Sequence, residues 1–339
     1  MSEHYFAHEA AAQALILDVA ATSTGRPAYL LEKDIWVVWT LHALFAAPFA
    51  DALVFKGGTS LSKVYCAIDR FSEDLDITFD IRRLVPDLTV DGVLPETKGQ
   101  ARRWRAEIES KLHAWVVETA LPYMEGEAGS YSLPARLSAD KDTVYIEYDA
   151  RADGYGYVPA RIKIEFGARS TGLPADEHSI ACDATGHVID TEFPFAPAVR
   201  VMRAERTFWE KATAVHVFCL QGRMRTEAFA RHWYDLAKLY AAGFADKALA
   251  DASLANEVAD HKAIFFIEKA ADNSMIDYHA AVTGALKLVP EGAALNLLAD
   301  DYAKMVDARL QHDGAAMTFK DVFGDKRRSG TSVLGGARY

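Results

Sequence analysis

The chain has 339 residues, half of them hydrophobic and 25% charged, so it is long enough for two cores, and its composition excludes a disordered or fibrous protein. Its net charge of −11 argues against a nucleic-acid-binding surface spread over the whole protein. The three cysteines form no CxxC pair, which argues against a disulfide framework or a zinc site, and no apolar stretch is long enough to cross a bilayer. We therefore expect a globular cytoplasmic enzyme with no membrane partner.

The first eighty residues predict a helical cap followed by a strand, a turn, a helix and a second strand. Helices are predicted at about 5–21 and 31–46. A short apolar run at 52–55 then leads into a Gly-Gly pair and a short helix. The segment DLDITFD, residues 74–80, alternates strictly, which predicts a strand with Asp74, Asp76, Thr78 and Asp80 on one face.

The remaining chain predicts one long helix, two strands and then only helices. The helix is expected at about 98–120, and alternating strands at 143–148 and 161–166. Helical periodicity begins near residue 200, so we place a boundary near 198, after a segment that contains prolines. This order predicts an α+β protein with one domain over 1–198 and a mostly helical domain over 199–339. The basic, glycine-rich tail from 326 to 339 is expected to be mobile.

The Gly-Gly turn is the first candidate site feature. Gly57 and Gly58 have no side chains, so the backbone amides at the head of the next helix can approach phosphate oxygens, and Thr59 and Ser60 add hydroxyl donors. The spacing GxxxxGK[ST] of a P-loop is absent, which argues against a P-loop NTPase.

A pair of carboxylates follows this turn. Asp74 and Asp76 project from one strand face, with Cα atoms roughly 6.5 to 7 Å apart. Magnesium takes oxygen ligands, often one or two protein carboxylates together with substrate phosphate, so this pair is suited to hold it. Glu165 is the candidate third ligand, since it alternates with apolar residues on a neighbouring predicted strand.

Two basic clusters offer local positive charge despite the acidic total. Arg102, Arg103 and Arg105 open the helix predicted at 98–120, and the segment 200–238 holds eight basic against four acidic residues. Such clusters are either solvated helix faces or phosphate-binding surfaces, and the sequence leaves both interpretations open.

The order of these motifs resembles the nucleotidyltransferase superfamily and, more narrowly, the AbiEii/AbiGii toxins, including their MenT-like members. The resembling segments are LLEKDIWVVWTL at 30–41, FKGGTSLSKVY at 55–65, RFSEDLDI at 70–77, ERTFWEKATAVH at 205–216 and RHWYDLAKL at 231–239. The resemblance implies a nucleotidyltransferase fold with a mixed sheet in the N-terminal half.

The resemblance also implies roles for single residues. Asp74 and Asp76 match the metal-binding pair, Lys211 the lysine at the phosphates of the NTP, Asp235 a later motif aspartate, and Ser72 the serine of the RxSxD pattern. It implies a magnesium-dependent toxin that uses GTP or another NTP, acts on tRNA or other RNA, and has a cognate antitoxin encoded nearby.

Three alternatives stay open at this point. The motif expected to read RDxYD has His232 at its second position, and Asp235 is also explained by an exposed i,i+4 ion pair with Arg231. The acceptor is either RNA or a small molecule, as in antibiotic-modifying members of the superfamily. A non-catalytic binding module that kept the fold is the third alternative, against which the intact set of Asp74, Asp76 and Lys211 argues.

Overall fold

The computed structural model describes most of the chain and divides it into two units. The described residues are 3–70, 74–89, 98–153, 159–222 and 229–307. The first unit comprises Met1–Thr59, Glu73–Val93 and Arg103–Val201. The second unit comprises Ser60–Ser72, Leu94–Arg102 and Met202–Tyr339.

A seven-stranded mixed sheet organises the first unit. Its strands are β2 (Leu53–Lys56), β3 (Asp74–Phe79), β4 (Ala135–Asp140), β5 (Thr143–Tyr148), β6 (Arg161–Gly167), β7 (Ala175–Ala181) and β9 (Phe195–Met202), while β1 (Glu3–His4) and β8 (Thr191–Glu192) form a separate parallel pair. The order across the sheet is β4-β5-β6-β3-β2-β9-β7. Strand β3 runs parallel to β6 and antiparallel to β2, so the predicted α+β class with a mixed sheet is confirmed.

Over β5, β6 and β3 the two faces of the sheet differ in polarity, because the side chains alternate along each strand. One face is apolar and fully buried, as Val144, Ile162 and Leu75 illustrate. Helix α2 (Ala28–Ala46) covers this face, with Trp36 stacked on Tyr148 at a centroid distance of 4.8 Å. The opposite face is polar and half-buried, and it carries the acidic side of β3.

Five further helices lie wholly or partly in the first unit. They are α1 (Ala10–Thr24), α3 (Gly57–Lys63), α4 (Ile81–Leu84), α5 (Lys98–Trp115) and α6 (Leu121–Ser130). At the end of α5, Trp115 packs edge-on against Phe79 and Phe166 of the sheet. Glycine ends α1, since Gly25 adopts φ +73 and its N–H bonds to the carbonyl of Ala21.

Helices form the second unit from Ala204 onward. They are α7 (Ala204–Gln221), α8 (Ala230–Ala241), α9 (Phe244–Ala250), α10 (Ala252–Phe265), α11 (Tyr278–Ala280) and α12 (Ala293–Asp307). Their shared core includes Phe208, Trp233 and Leu298, joined by Leu61 and Ile68 from much earlier in the chain. Within the described ranges, no helix combines the length and apolar character that crossing a membrane requires.

Several elements differ in detail from the sequence-based expectations. The helical conformation expected over 98–120 is observed and continues to Ser130, with a π-helical turn, Val116–Ala120, between α5 and α6. The predicted boundary near 198 falls inside β9, which continues to Met202. Asp80 does not belong to the acidic strand face, since its carboxylate caps α4 by accepting from the N–H of Arg82 at 2.9 Å. Arg223, Arg225 and the predicted mobile tail lie outside the described residues.

Candidate active site

The turn between β2 and α3 packs directly against one of the candidate carboxylates. Gly57 adopts φ +82, a conformation that other residues rarely take. A Cβ atom on Gly57 would lie 2.0 Å from Oδ2 of Asp76. The register of β2 and β3 explains this closeness, since Lys56 pairs with Asp76 across the two strands. Glycine is therefore needed both for the turn and for the position of the Asp76 carboxylate.

The hydroxyl of Thr59 holds the other carboxylate-bearing residue through its backbone. It donates a hydrogen bond of 2.6 Å to the main-chain carbonyl of Asp74. Thr59 and Ser60 are both buried, and so is Gly58. The predicted donation from Thr59 to phosphate would require this bond to break. In the structure Thr59 thus fixes the backbone of Asp74, and the phosphate contacts of Gly57, Gly58, Thr59 and Ser60 stay predictions.

Asp74 and Asp76 share the polar face of β3, as predicted, and both are half-buried. On the parallel strand β6, Lys163 lies beside Asp74 and Glu165 lies beside Asp76. The Lys163 ammonium pairs with Glu165 at 2.6 Å. Burial alone would lower the pKa of Lys163, but the bond and charge of Glu165 and the charge of Asp74 raise it. Lys163 therefore remains a cation beside the aspartates.

This donor set fits a magnesium ion held by two protein carboxylates. Two oxygen-bearing side chains on one strand face are the usual protein share of a magnesium site that also binds substrate phosphate. Over the residues the structure describes, no three or more His, Cys, Asp or Glu side chains cluster closely enough to hold a metal. Glu165 is therefore adjacent in register but does not complete a three-carboxylate cluster, and its predicted role as a ligand stays a prediction.

In the second unit, Asp235 is the centre of a buried ion cluster. Its carboxylate receives two hydrogen bonds from Arg70, each of 2.7 Å, and lies 2.9 Å from the Lys211 ammonium. Asp235 is completely buried, while Lys211 is 12% exposed. Burial alone would raise the pKa of Asp235, but the charges of Arg70 and Lys211 lower it far below its usual range. The alternative of an exposed ion pair with Arg231 is therefore wrong.

Arg70 is a member of this cluster that sequence reasoning missed. Arg70 is the only lysine or arginine between Lys63 and Asp74, and it is the arginine of the RxSxD pattern. An isolated basic residue in this motif was the one sequence feature that could have indicated a role for it. Its partner lies 165 residues away, which no local pattern reveals. Ser72 of the same pattern lies outside the described residues.

His232, the residue that departs from the expected motif, is a neutral neighbour of the cluster. Its Nδ1 is buried and has no hydrogen-bond partner in the part of the chain that the structure describes. Burial, followed by the charge of Lys211, lowers the pKa of His232 to about 3. In α7, the Nδ1 of His216 accepts a hydrogen bond of 2.9 Å from the main-chain N–H of Lys287.

The structure thus groups the candidate residues in two sets. Gly57, Thr59, Asp74 and Asp76 lie together in the first unit, with Glu165 alongside. Lys211 and Asp235 form the ion cluster of the second unit.

A single protein family matches the part of the chain that contains both sets of residues. A search among curated proteins gave no match. The family model of the nucleotidyl transferase AbiEii toxin, from type IV toxin–antitoxin systems, matches residues 39–324, which include the glycine turn, the paired aspartates and the buried ion cluster. Since this match extends over most of the chain, the protein belongs to the AbiEii family of nucleotidyl transferase toxins.

Proposed function

We propose that this nucleotidyltransferase is a magnesium-dependent toxin that transfers a nucleotide from an NTP to a hydroxyl group of RNA, with tRNA as the first acceptor to test. The single observation that carries the proposal is the packing of Gly57 against Asp76. A glycine forced into a left-handed turn beside a half-buried carboxylate fixes the position of that carboxylate far more tightly than a solvated strand face requires.

Asp74 and Asp76 are the proposed ligands of the metal. Bound magnesium neutralises negative charge on the phosphates as an acceptor oxygen attacks phosphorus. The protein's share is to hold the two carboxylates at fixed positions, Asp74 through the Thr59 bond to its carbonyl and Asp76 through the Gly57 turn. The acceptor hydroxyl loses its proton to water and its oxygen forms the new bond to the α-phosphorus, while the bond to pyrophosphate breaks and pyrophosphate leaves.

Lys211 is the proposed contact for NTP phosphate. Its ammonium is held by Asp235, which also holds Arg70, so one buried carboxylate faces two cations. The three side chains carry a formal charge of +1, which favours an anionic ligand. Asp235 is fully buried, and we propose that it positions Lys211 and Arg70 and does not contact the reacting atoms.

RNA is favoured over a small acceptor by exposed arginines on α5. Arg102 and Arg103 are exposed, and Arg105 is half-exposed. Because the whole chain is acidic, RNA binding is proposed for this local surface, with a steep dependence on salt. A small-molecule acceptor is the competing outcome of the experiment below.

The test is transfer of labelled nucleotide. The purified protein is incubated with each labelled NTP in turn, magnesium and total RNA, and the label is then located. Label on RNA is expected with the wild-type protein and with Asp18→Asn, an exposed aspartate on α1 that serves as the control. Transfer should be abolished in Asp74→Asn with folding intact.

Three further results decide between acceptors and mechanisms. Unchanged turnover in Asp74→Asn contradicts the metal assignment. Label on a small hydroxylated acceptor, with none on RNA, replaces RNA by the competing acceptor. Induced expression should arrest growth, and arrest that persists in the Asp74→Asn/Asp76→Asn variant shows that the effect is not enzymatic. Co-expression with a neighbouring gene tests for the cognate antitoxin.

The arginine surface is tested by reversing its charge. Replacing Arg102, Arg103 and Arg105 by glutamate should weaken RNA binding and flatten its dependence on salt, because fewer counterions are released. Retained affinity with a retained salt slope removes this cluster from the RNA-binding surface.

A further inference from the structure

The polar face of the sheet continues from the aspartates across two more strands. Residues that pair directly across strands point to the same face, so the register defines rows of side chains. The row through Asp74 continues to Lys163 on β6 and to Tyr145 on β5. Neighbouring strands are about 4.8 Å apart, which places the base of Tyr145 about 10 Å from that of Asp74.

Tyr145 forms a stacked pair with an arginine on this face. The guanidinium carbon of Arg161 lies 4.7 Å from the centroid of the Tyr145 ring. Both side chains are half-buried, in contrast to Val144, Ile146 and Ile162, which are fully buried on the opposite face. The pair is therefore partly accessible and contributes nothing to the apolar core.

The composition of this face matches what a nucleotide presents. An aromatic ring and a guanidinium plane both stack on nucleobases of any sequence. Lys163 lies between Tyr145 and Asp74 in this row and carries a basic side chain where a phosphate would pass. The row thus offers, in order, a stacking surface, a cation and a proposed metal ligand.

We propose that Tyr145 and Arg161 form a stacking site for a nucleobase of the substrate. The proposal rests on the proposed function, because it requires the reacting phosphate group of the nucleotide to lie at Asp74 and Asp76. The base belongs either to the NTP or to the end of the RNA acceptor, and the chemistry of stacking is the same for both. Removing the aromatic platform should weaken binding of that nucleotide about 5- to 150-fold.

The test uses 2-aminopurine, a fluorescent base that is quenched when it stacks. One arm titrates the protein, with magnesium, into 2-aminopurine riboside triphosphate. The other arm uses a single-stranded RNA with 2-aminopurine at its 3′ end. The variants are Tyr145→Phe, Tyr145→Leu and Arg161→Lys. Tyr131→Leu is the matched control, since Tyr131 is a 42% exposed tyrosine of the same unit.

The expected result is quenching of one of the two probes by the wild-type protein, by Tyr145→Phe and by Tyr131→Leu. Tyr145→Leu should lose the quenching, and Arg161→Lys should weaken it because lysine keeps the charge but not the plane. The arm that responds identifies the base as that of the donor or that of the acceptor. Failure of both probes to be quenched, equal quenching by Tyr145→Leu and the wild-type protein, or equal loss in Tyr131→Leu overturns the proposal.

The outcome is separate from that of the transfer assay. Quenching needs no turnover, so it decides on the stacking site even where no label reaches RNA. Conversely, label transfer with the same KM in Tyr145→Leu as in the wild-type protein, together with unchanged quenching, overturns the stacking site and leaves the transferase function intact.

Discussion

Replacing Gly57 by alanine should slow the enzyme about 100-fold by moving a single carboxylate. The new Cβ would lie 2.0 Å from Oδ2 and 2.8 Å from Cγ of Asp76, whereas real Cβ contacts essentially never fall below 3.0 Å. The carboxylate or the turn must therefore shift by about 1 Å, and a misplacement of that size costs about 100-fold in rate. The left-handed φ of +82 adds a backbone cost of about 1 kcal/mol.

Gly25→Ala separates these two effects. Gly25 has φ +73, but a Cβ there would meet no atom within 4 Å. This variant should lose a similar amount of stability in urea unfolding and keep its kcat/KM for transfer of labelled nucleotide. Gly57→Ala should lose about 100-fold in kcat/KM at a comparable free energy of unfolding. Equal kcat/KM in the two variants would refute the argument that the turn positions Asp76.

Three other predictions concern the ion cluster and its neighbour. Lys211→Ala should raise the Kd for NTP about 10- to 150-fold by calorimetry, since a charged hydrogen bond is lost, and an unaltered Kd and rate would exclude the contact. Asp235→Asn should lower the free energy of unfolding by about 3–5 kcal/mol at pH 7. Arg70 and Lys211 hold the pKa of Asp235 below its usual range. The stabilisation by the Asp235 carboxylate is therefore complete above about pH 4 and is lost as the pH falls further. Below about pH 4, the free energy of unfolding in urea should depend less on pH in Asp235→Asn than in the wild-type protein. His232, whose pKa is lowered to about 3 by burial, stays neutral from pH 5 to 8, and a shifted pH–rate profile in His232→Gln would contradict this.

Strict alternation made the central strands predictable. The run TVYIEY gave β5 without error, and RIKIEF gave β6 to within one residue, because each strand buries one face and leaves the other polar. The shared face of Asp74 and Asp76 followed from the same rule. Local sequence suffices wherever one face of a strand is buried.

The strands β4, β7 and β9 were not predicted. Strands β4 and β7 lie at the two edges of the sheet, and β7 reads ADEHSIA, with a single buried residue. Strand β9 contains a proline, which usually argues against a sheet interior. Their conformation depends on pairing with strands distant in sequence, as in the pairing of Val201 with Phe55.

The local geometry of the candidate site could be predicted only where it depends on local sequence. The glycine turn and the paired aspartates are local patterns, so the sequence indicated them. The bond from Thr59 to a backbone carbonyl and the contact of Arg70 with Asp235 depend on tertiary structure, and no spacing rule reveals them. The burial of Asp235 likewise depends on how α8 packs, and the position of Asp235 along the helix did not predict it.

The chain passes repeatedly between the two units, and this limits how the toxin can be cut. A fragment that ends at residue 198 would contain Leu61, Ala67 and Ile68 without the helices that bury them. We expect such a fragment to aggregate when it is expressed alone, because three apolar side chains and their neighbours would be left in water. Inactive toxin for genetic work is therefore better made by a point substitution than by truncation.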